Sequence, residues 1–218
     1  IFDGIDGTVA LDVDCSQITG DVDSFTESSE NQATVTVNRS GSAYRSIGVV
    51  RSGYVLPGAS NVFRASEVSL LDFGATDSFT VLAVVRQWAT PAAFGRIIDK
   101  GSTAVGWGIL NLSTDSEVYP IIDDGTTPKG GTAEKVLYDL GGLAPLFMTV
   151  DRSAQTLQMT SGTTAGSAIN ISAVGSLVSD TTLRILNRSA VVDGEFVAAA
   201  IFRRALRAGE IQSLSTYF

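Results

Sequence analysis

Two pairs of carboxylates stand two residues apart, Asp12 with Asp14 and Asp115 with Glu117, a spacing that puts both members of a pair on one face of a strand. Paired carboxylates are the machinery of glycoside hydrolysis, where one group donates a proton and the other acts as base or nucleophile. Both pairs here sit in Ser-, Thr- and Gly-rich surroundings without an apolar strand pattern around them, which argues against that chemistry. The chain has no histidine, and this removes Ser-His-Asp and Cys-His nucleophilic catalysis, imidazole-ligated zinc and histidine acid–base steps. Its one cysteine, Cys15, follows Asp12 and Asp14 closely; their charge disfavours a thiolate, and a lone cysteine forms no intrachain disulfide. The expectation is a chain that is not an enzyme.

Recognition chemistry has better candidates. Trp88 closes an apolar run beside Gln87 and ahead of Pro91, a placement suited to an aromatic plate that meets the apolar face of a sugar ring while a neighbouring amide orients its hydroxyls. Tyr119, near the polar segment Asp123–Gly131, is a second rim candidate. Trp107 lies between Gly106 and Gly108 in a strand pattern and reads as core. Asn-x-Ser matches at Asn38, Asn111, Asn170 and Asn187 would accept glycans only in a eukaryotic secreted protein. The formal net charge is −8 and the only dense basic group is Arg203, Arg204 and Arg207, so nothing resembles a phosphate-neutralising surface and nucleic acid is not expected as a partner.

The elements that must position these residues are strands. With 218 residues, 44 % of them hydrophobic, 22 glycines and 17 % charged residues, the chain has enough apolar surface for a sizeable core and many turns to interrupt it. Strand patterns occupy Ala33–Asn38, Tyr44–Arg51, Val62–Arg64, Val68–Leu71, Phe79–Val85, Arg96–Asp99, Gly106–Leu112, Lys135–Tyr138, Leu146–Val150, Thr156–Met159, Leu183–Leu186 and Phe196–Phe202. Asp151–Ala154 reads as a hairpin turn and Asp123–Gly131 as a surface loop. Residues 1–52 differ in texture and are expected to form an N-terminal arm, accessory strands or part of the sandwich itself; residues 53–218 form the main body. No apolar stretch reaches eighteen residues and no signal peptide is visible, so membrane insertion is not expected. The start at Ile1 without a methionine is read as a processed terminus or part of something longer.

Two segments carry the most structural information. In Phe196–Phe202 the two-residue period puts Phe196, Ala198, Ala200 and Phe202 on one face and Val197, Ala199 and Ile201 on the other, so the strand should be central and covered on both sides. After it the period changes. Leu206, Ile211, Leu214 and Phe218 make a helical stripe, and Glu210 falls in the first turn of a helix starting near Ala208. Many strands without intervening long helices exclude βαβ units. The fold class is all-β, an antiparallel two-sheet jelly-roll sandwich with a short C-terminal helix, although composition alone leaves a barrel open.

Three blocks resemble the laminin-G-like or concanavalin A-like lectin and glucanase superfamily. They are Asp77–Val85 with Arg96–Gly101 and Gly106–Ile109, the hairpin Leu146–Met159, and Leu183–Ile185 with Asp193–Phe196 and Phe202–Leu214. The resemblance covers the chain from about Gly53 to its end and implies the two-sheet jelly roll. It is similar to domains in structural proteins of tailed bacteriophages, which implies a capsid decoration or tail-surface protein on the virion surface, with other subunits of a multimeric assembly as partners. The alternative is a glycan-binding or host-adhesion module, extracellular if not viral, with Trp88, Gln87 and Tyr119 as glycan contacts. The family's catalytic members carry Glu-x-Asp-x-x-Glu, which this chain lacks. Some members hold calcium at the rim, and Asp99, Asp123, Asp124 and Asp193 are the oxygen donors that would serve it; no other cofactor is expected.

Overall fold

The computed structural model describes residues 69–86, 95–101, 105–111, 116–131, 135–139, 141–179, 181–185 and 195–218 in full, and the strand backbone at 9–14, 24–26, 34–38, 44–47, 52–56, 62–65, 87, 186–187 and 194. Along the chain the strands are β1 (Val9–Asp14), β2 (Ser24–Thr26), β3 (Thr34–Asn38), β4 (Tyr44–Ile47), β5 (Ser52–Leu56), β6 (Val62–Ala65), β7 (Phe79–Gln87), β8 (Gly95–Gly101) and β9 (Val105–Asn111). There follow β10 (Glu117–Asp124), β11 (Lys129–Gly130), β12 (Val136–Leu137), β13 (Leu143–Asp151), β14 (Thr156–Ser161), β15 (Thr164–Ala165), β16 (Ile169–Asn170), β17 (Leu183–Asn187), β18 (Gly194–Phe202) and the helix α1 (Ala208–Tyr217).

These strands make two antiparallel sheets. One runs β15-β14-β13-β7-β18-β5-β4, with β1 also on β18 and β16 on β14; the other runs β11-β10-β9-β8-β17-β6-β3-β2, with β12 on β10. The architecture is the two-sheet antiparallel sandwich with a short C-terminal helix that the periodicities imply. Strands from the first 52 residues enter both sheets: β1 and β4 belong to the first, β2 and β3 to the second. The boundary drawn at residue 52 falls at the start of β5.

Between the sheets lies the main core, in which Phe73 stacks on Phe79 at 3.9 Å between centroids with Trp107 tilted against both. Trp107 is 2 % exposed, as its place between two glycines suggests. A second apolar cluster forms on the outward face of the first sheet, where Leu82, Val84, Phe147, Ala200 and Phe202 meet Leu206 and Leu214. Ile211 and Phe218 pack at its margin, so the helical stripe faces the sheet. Thr80, fully buried beneath this closure, accepts a hydrogen bond from Leu206 N at 2.9 Å and donates to Arg204 O at 3.1 Å, tying the helix approach to the sheet.

Three expectations need correction. A β-bulge between Phe196 and Ala198 shifts the phase of β18, so Phe196 joins Ala199 and Ile201 in the inner core while Val197 and Ala198 go to the outer cluster. The strand is still central, between β7 on one side and β1 and β5 on the other. In Val68–Leu71, Ser69–Leu71 form a 3-10 turn closed by Asp72 N to Ser69 O at 3.1 Å, because Leu71 and Phe73 both turn into the core. The segment Asp123–Gly131, expected as a surface loop, gives Lys129–Gly130 to β11 and its first two residues to the eight-residue strand β10, which runs through Pro120 and was not among the strand patterns. In β10, Val118 and Ile122 alternate into the core.

Candidate functional site

The carboxylates singled out as cation ligands are engaged by nitrogen donors wherever the structure describes them. Asp99 is 1 % exposed and lies between Arg96, at 2.9 Å, and Arg184, whose guanidinium also donates to Gly101 O at 2.6 Å. Burial pushes the Asp99 carboxyl up, against the pull of the two guanidiniums. A cation placed there would face both arginines. Asp124 Oδ1 accepts from Thr126 N, Thr126 Oγ1 and Thr127 N at 2.7–2.9 Å, and Oδ2 accepts from Gly175 N at 2.5 Å. These bonds, that from Gly175 foremost, hold its carboxyl far below the usual carboxylate range. Asp123 caps Gly125 N at 2.8 Å. Asp123 and Asp124 thus shape the loop and tie it to the Val174–Gly175 segment, which Arg152 grips through Val174 O and Gly175 O, each at 2.8 Å. Among the described residues no group of three or more His, Cys, Asp or Glu gathers around a point that could hold a metal ion.

The three glycan-contact candidates are separated. Gln87 ends β7 opposite Gly194; Trp88 and Asp193, each one residue further along, lie outside the described residues, as does Cys15. Beside Gln87, Arg86 pairs with the buried Glu195 at 2.8 Å. Tyr119 is 8 % exposed in a small cluster with Leu110 and Ile121, and burial raises its phenol. Of the carboxylate pairs, Asp12 and Asp14 stand in β1 opposite Ala200 and Ala198. Glu117 begins β10, while Asp115 lies outside the described residues. Of the Asn-x-Ser asparagines, Asn111 is fully buried and Asn170 is exposed, its Oδ1 accepting from Ser172 N at 2.9 Å.

Two concave surfaces among the described residues lie elsewhere, on either side of one hairpin at the sandwich edge. Ser161 and Thr164 pair directly across the two-residue turn Gly162–Thr163, and Gly162 at φ +57° supplies the positive angle that a tight hairpin needs at its first corner. Ser215 of the helix donates to Gly162 O at 2.6 Å, and Gly162 N donates to Pro145 O at 2.9 Å, so the turn is fixed from both sides.

On one side of this hairpin a cleft of about 600 Å³ opens toward Lys135–Asp139 and Gly142–Pro145. In that segment Val136 and Tyr138 face inward, and burial pushes the Tyr138 phenol up to about 12. Leu137 projects outward and is 70 % exposed. Lys135 Nζ lies 2.6 Å from Glu117 Oε2, an ion pair outside hydrogen-bond angles. The cleft therefore offers an apolar knob, an ammonium, the Asp139 carboxylate and hairpin hydroxyls. Such a set can grip a hydroxylated ligand. Sequence reasoning missed this place, because a single outward Leu carries no signal by itself and the walls of the cleft come from segments far apart in the chain.

On the other side a cleft of about 340 Å³ lies between the hairpin and α1. No helix among the described residues is long and apolar enough to cross a membrane.

No protein-family model matches the chain, and no curated protein matches it. Solved structures do match in fold. The binding domain of Paraclostridial Mosquitocidal Protein 1 superposes with a TM-score of 0.75 at 12 % identity, over 95 % of this chain and 52 % of that one. The binding domain of botulinum neurotoxin serotype D gives 0.76 at 11 % identity, over 99 % and 52 %. Botulinum neurotoxin type C, whose entry into cells depends upon interaction with two ganglioside molecules, gives 0.72 at 13 % identity, over 99 % and 52 %. The chain spans about half the length of these structures, and at such identities the likeness is one of fold.

The comparison corrects the resemblance to lectin-like domains of phage structural proteins. The structures named above are clostridial toxin binding domains, and the virion, bacteriophage and capsid-decoration readings, with the assembly partners they implied, are not supported. The physical reason lies in the block that carried the resemblance. Phe202, Leu206 and Leu214 are packing residues that close a sheet, and packing specifies a fold without specifying the setting in which the fold works.

Proposed function

We propose that the chain is a non-catalytic carbohydrate-binding module that engages a cell-surface glycan from outside the cell. The observation that carries this reading is the likeness in fold, over 95–99 % of the chain, to binding domains of clostridial toxins, one of which interacts with gangliosides. The sandwich edge supports it further, because the clefts flanking the Ser161–Thr164 hairpin present hydroxyls, amides and exposed apolar surface, the groups that meet the polar rim and hydrocarbon face of a sugar.

The test is binding of the protein to an immobilised panel of neutral glycans, sialylated glycans and gangliosides. Saturable binding is expected, with Leu137→Ala lowering affinity about tenfold, the equivalent of about 1.4 kcal/mol. Trp88→Ala, run in parallel, reports whether the Gln87 end of β7 contributes as well. Absence of binding across the whole panel would sink the proposal.

A further inference from the structure

The smaller cleft has an unusual chemistry for its position. Its floor is the outward face of β13 and β14, through Thr149, Gln158 and Thr160, and its wall is Leu206 with Ile211 and Gln212 of α1. None of the described residues lining it is charged. The first-turn carboxylate of Glu210 is already committed, accepting from Arg204 Nη1 and Nη2 at 2.9 and 2.6 Å and from Arg207 N at 2.8 Å. Gln158 Nε2 donates to Gly166 O at 3.0 Å, which orients the amide and leaves its oxygen free to accept.

Thr160 supplies a second, independent observation. It is only 6 % exposed, and among the described residues its hydroxyl has no hydrogen-bond partner. The oxygen itself is not sealed from solvent, so it opens onto the cleft with its donor and its lone pairs available to a ligand there. A volume of about 340 Å³ falls within the range of about 300–1,000 Å³ typical of small-ligand sites. Phosphate or carboxylate ligands would need cations or clustered N–H groups, and an acyl chain would need an apolar tunnel. This lining instead alternates Thr and Gln with Leu and Ile, which fits a ligand with neutral hydroxyls around an aliphatic ring.

We infer that the cleft between α1 and the β14 hairpin is a subsite for a neutral hexose or N-acetylhexosamine unit, with the Thr160 hydroxyl and the Gln158 and Gln212 amides bonding its hydroxyls and Leu206 and Ile211 meeting its C–H face. The inference rests on the carbohydrate-binding reading and specifies where a neutral sugar sits.

The experiment titrates the protein with methyl glycosides of glucose, galactose, mannose and N-acetylglucosamine, and with 3′-sialyllactose, by calorimetry and saturation-transfer NMR. The variants are Thr160→Val, which keeps side-chain shape and removes the hydroxyl, and Gln212→Ala at the exposed mouth. At least one neutral glycoside is expected to bind, with its affinity lowered about tenfold by each variant. Because the Thr160 hydroxyl has no protein partner to lose, Thr160→Val should keep the melting temperature within about 2 °C of the parent or raise it. Equal affinity of parent and both variants for the neutral glycosides overturns the subsite while leaving the carbohydrate-binding reading intact, as does binding of sialyllactose alone. Binding to no glycan in the immobilised panel removes the broader reading and the subsite with it.

Discussion

The outward face of the sheet built around β7 and β18 is closed by hydrocarbon, with Phe147, Ala200 and Phe202 lying under Leu206 and Leu214. On the outward face of the other sheet, Asp99 of β8 lies 1 % exposed between two guanidiniums, from Arg96 on its own strand and Arg184 on β17. The first closure is tolerant in principle, because hydrophobic contact is non-directional and a shifted helix would still bury area. The second depends on register. Asp99 stands opposite Arg184 only because β17 pairs with β8 at that offset, and a slip of one residue would leave a carboxylate and a guanidinium buried apart. Even the placement of Gly108 belongs to this arrangement, since a Cβ there would come within 2.9 Å of the Asp99 Cβ.

The hydrocarbon closure loses most at Phe147. It is fully buried in the outer cluster, and Phe147→Ala is expected to lower unfolding free energy by about 3–5 kcal/mol in a denaturant titration. A loss under about 1 kcal/mol would mean that the helix is not seated on this face.

Asp99→Ala is expected to cost somewhat less, about 2–3 kcal/mol. It leaves two guanidiniums without their carboxylate, but their side chains are 24 % and 21 % exposed and keep some water. If this variant were as stable as the parent, the ionic cluster would be incidental to the fold.

The two faces should also respond oppositely to acid, with the smallest effects of the set. Hydrogen bonds from Arg204, then from Arg207 N, hold Glu210 down to about 2, below its ordinary 4.5. Its contribution is present above about pH 4.5 and is lost as pH falls toward 2. Asp99 is displaced the other way by burial, so the folded chain takes that proton more readily than the unfolded one, and the stability linked to it declines as pH rises from 3.8 through the folded value. Thermal melts between pH 6 and pH 2 should show Glu210→Gln with a shallower acid loss than the parent and Asp99→Asn with a steeper one. Parallel curves for all three proteins would contradict the assignment.

Local period accounts for the part of the fold that is legible in the sequence. The run Phe79–Val85, the hairpin turn at Asp151–Ala154 and the stripe Leu206, Ile211, Leu214 and Phe218 appear in the fold where their spacing puts them. Asp151 accepts from Ser153 N and Ala154 N at 2.9 and 3.0 Å, the bonds an aspartate at that corner is chosen to make. The bulge in β18 and the strand β10 through Pro120 were not legible, because each depends on what the neighbouring strand offers rather than on the residues themselves.

The candidate site divides in the same way. Its residue types were visible, but Lys135 to Asp139, the Ser161–Thr164 turn and Ile211 to Gln212 are far apart in sequence, and only the closing of one sheet and one helix on a common hairpin makes them walls of neighbouring clefts. Side-chain alternation and helical spacing are properties of a single segment, and they suffice for an antiparallel sandwich sealed by an amphipathic helix. Strand order, the partners of Asp99 and Asp124, and the concavities of the edge were decided by tertiary structure alone, because each arises from contacts between segments that no local period encodes.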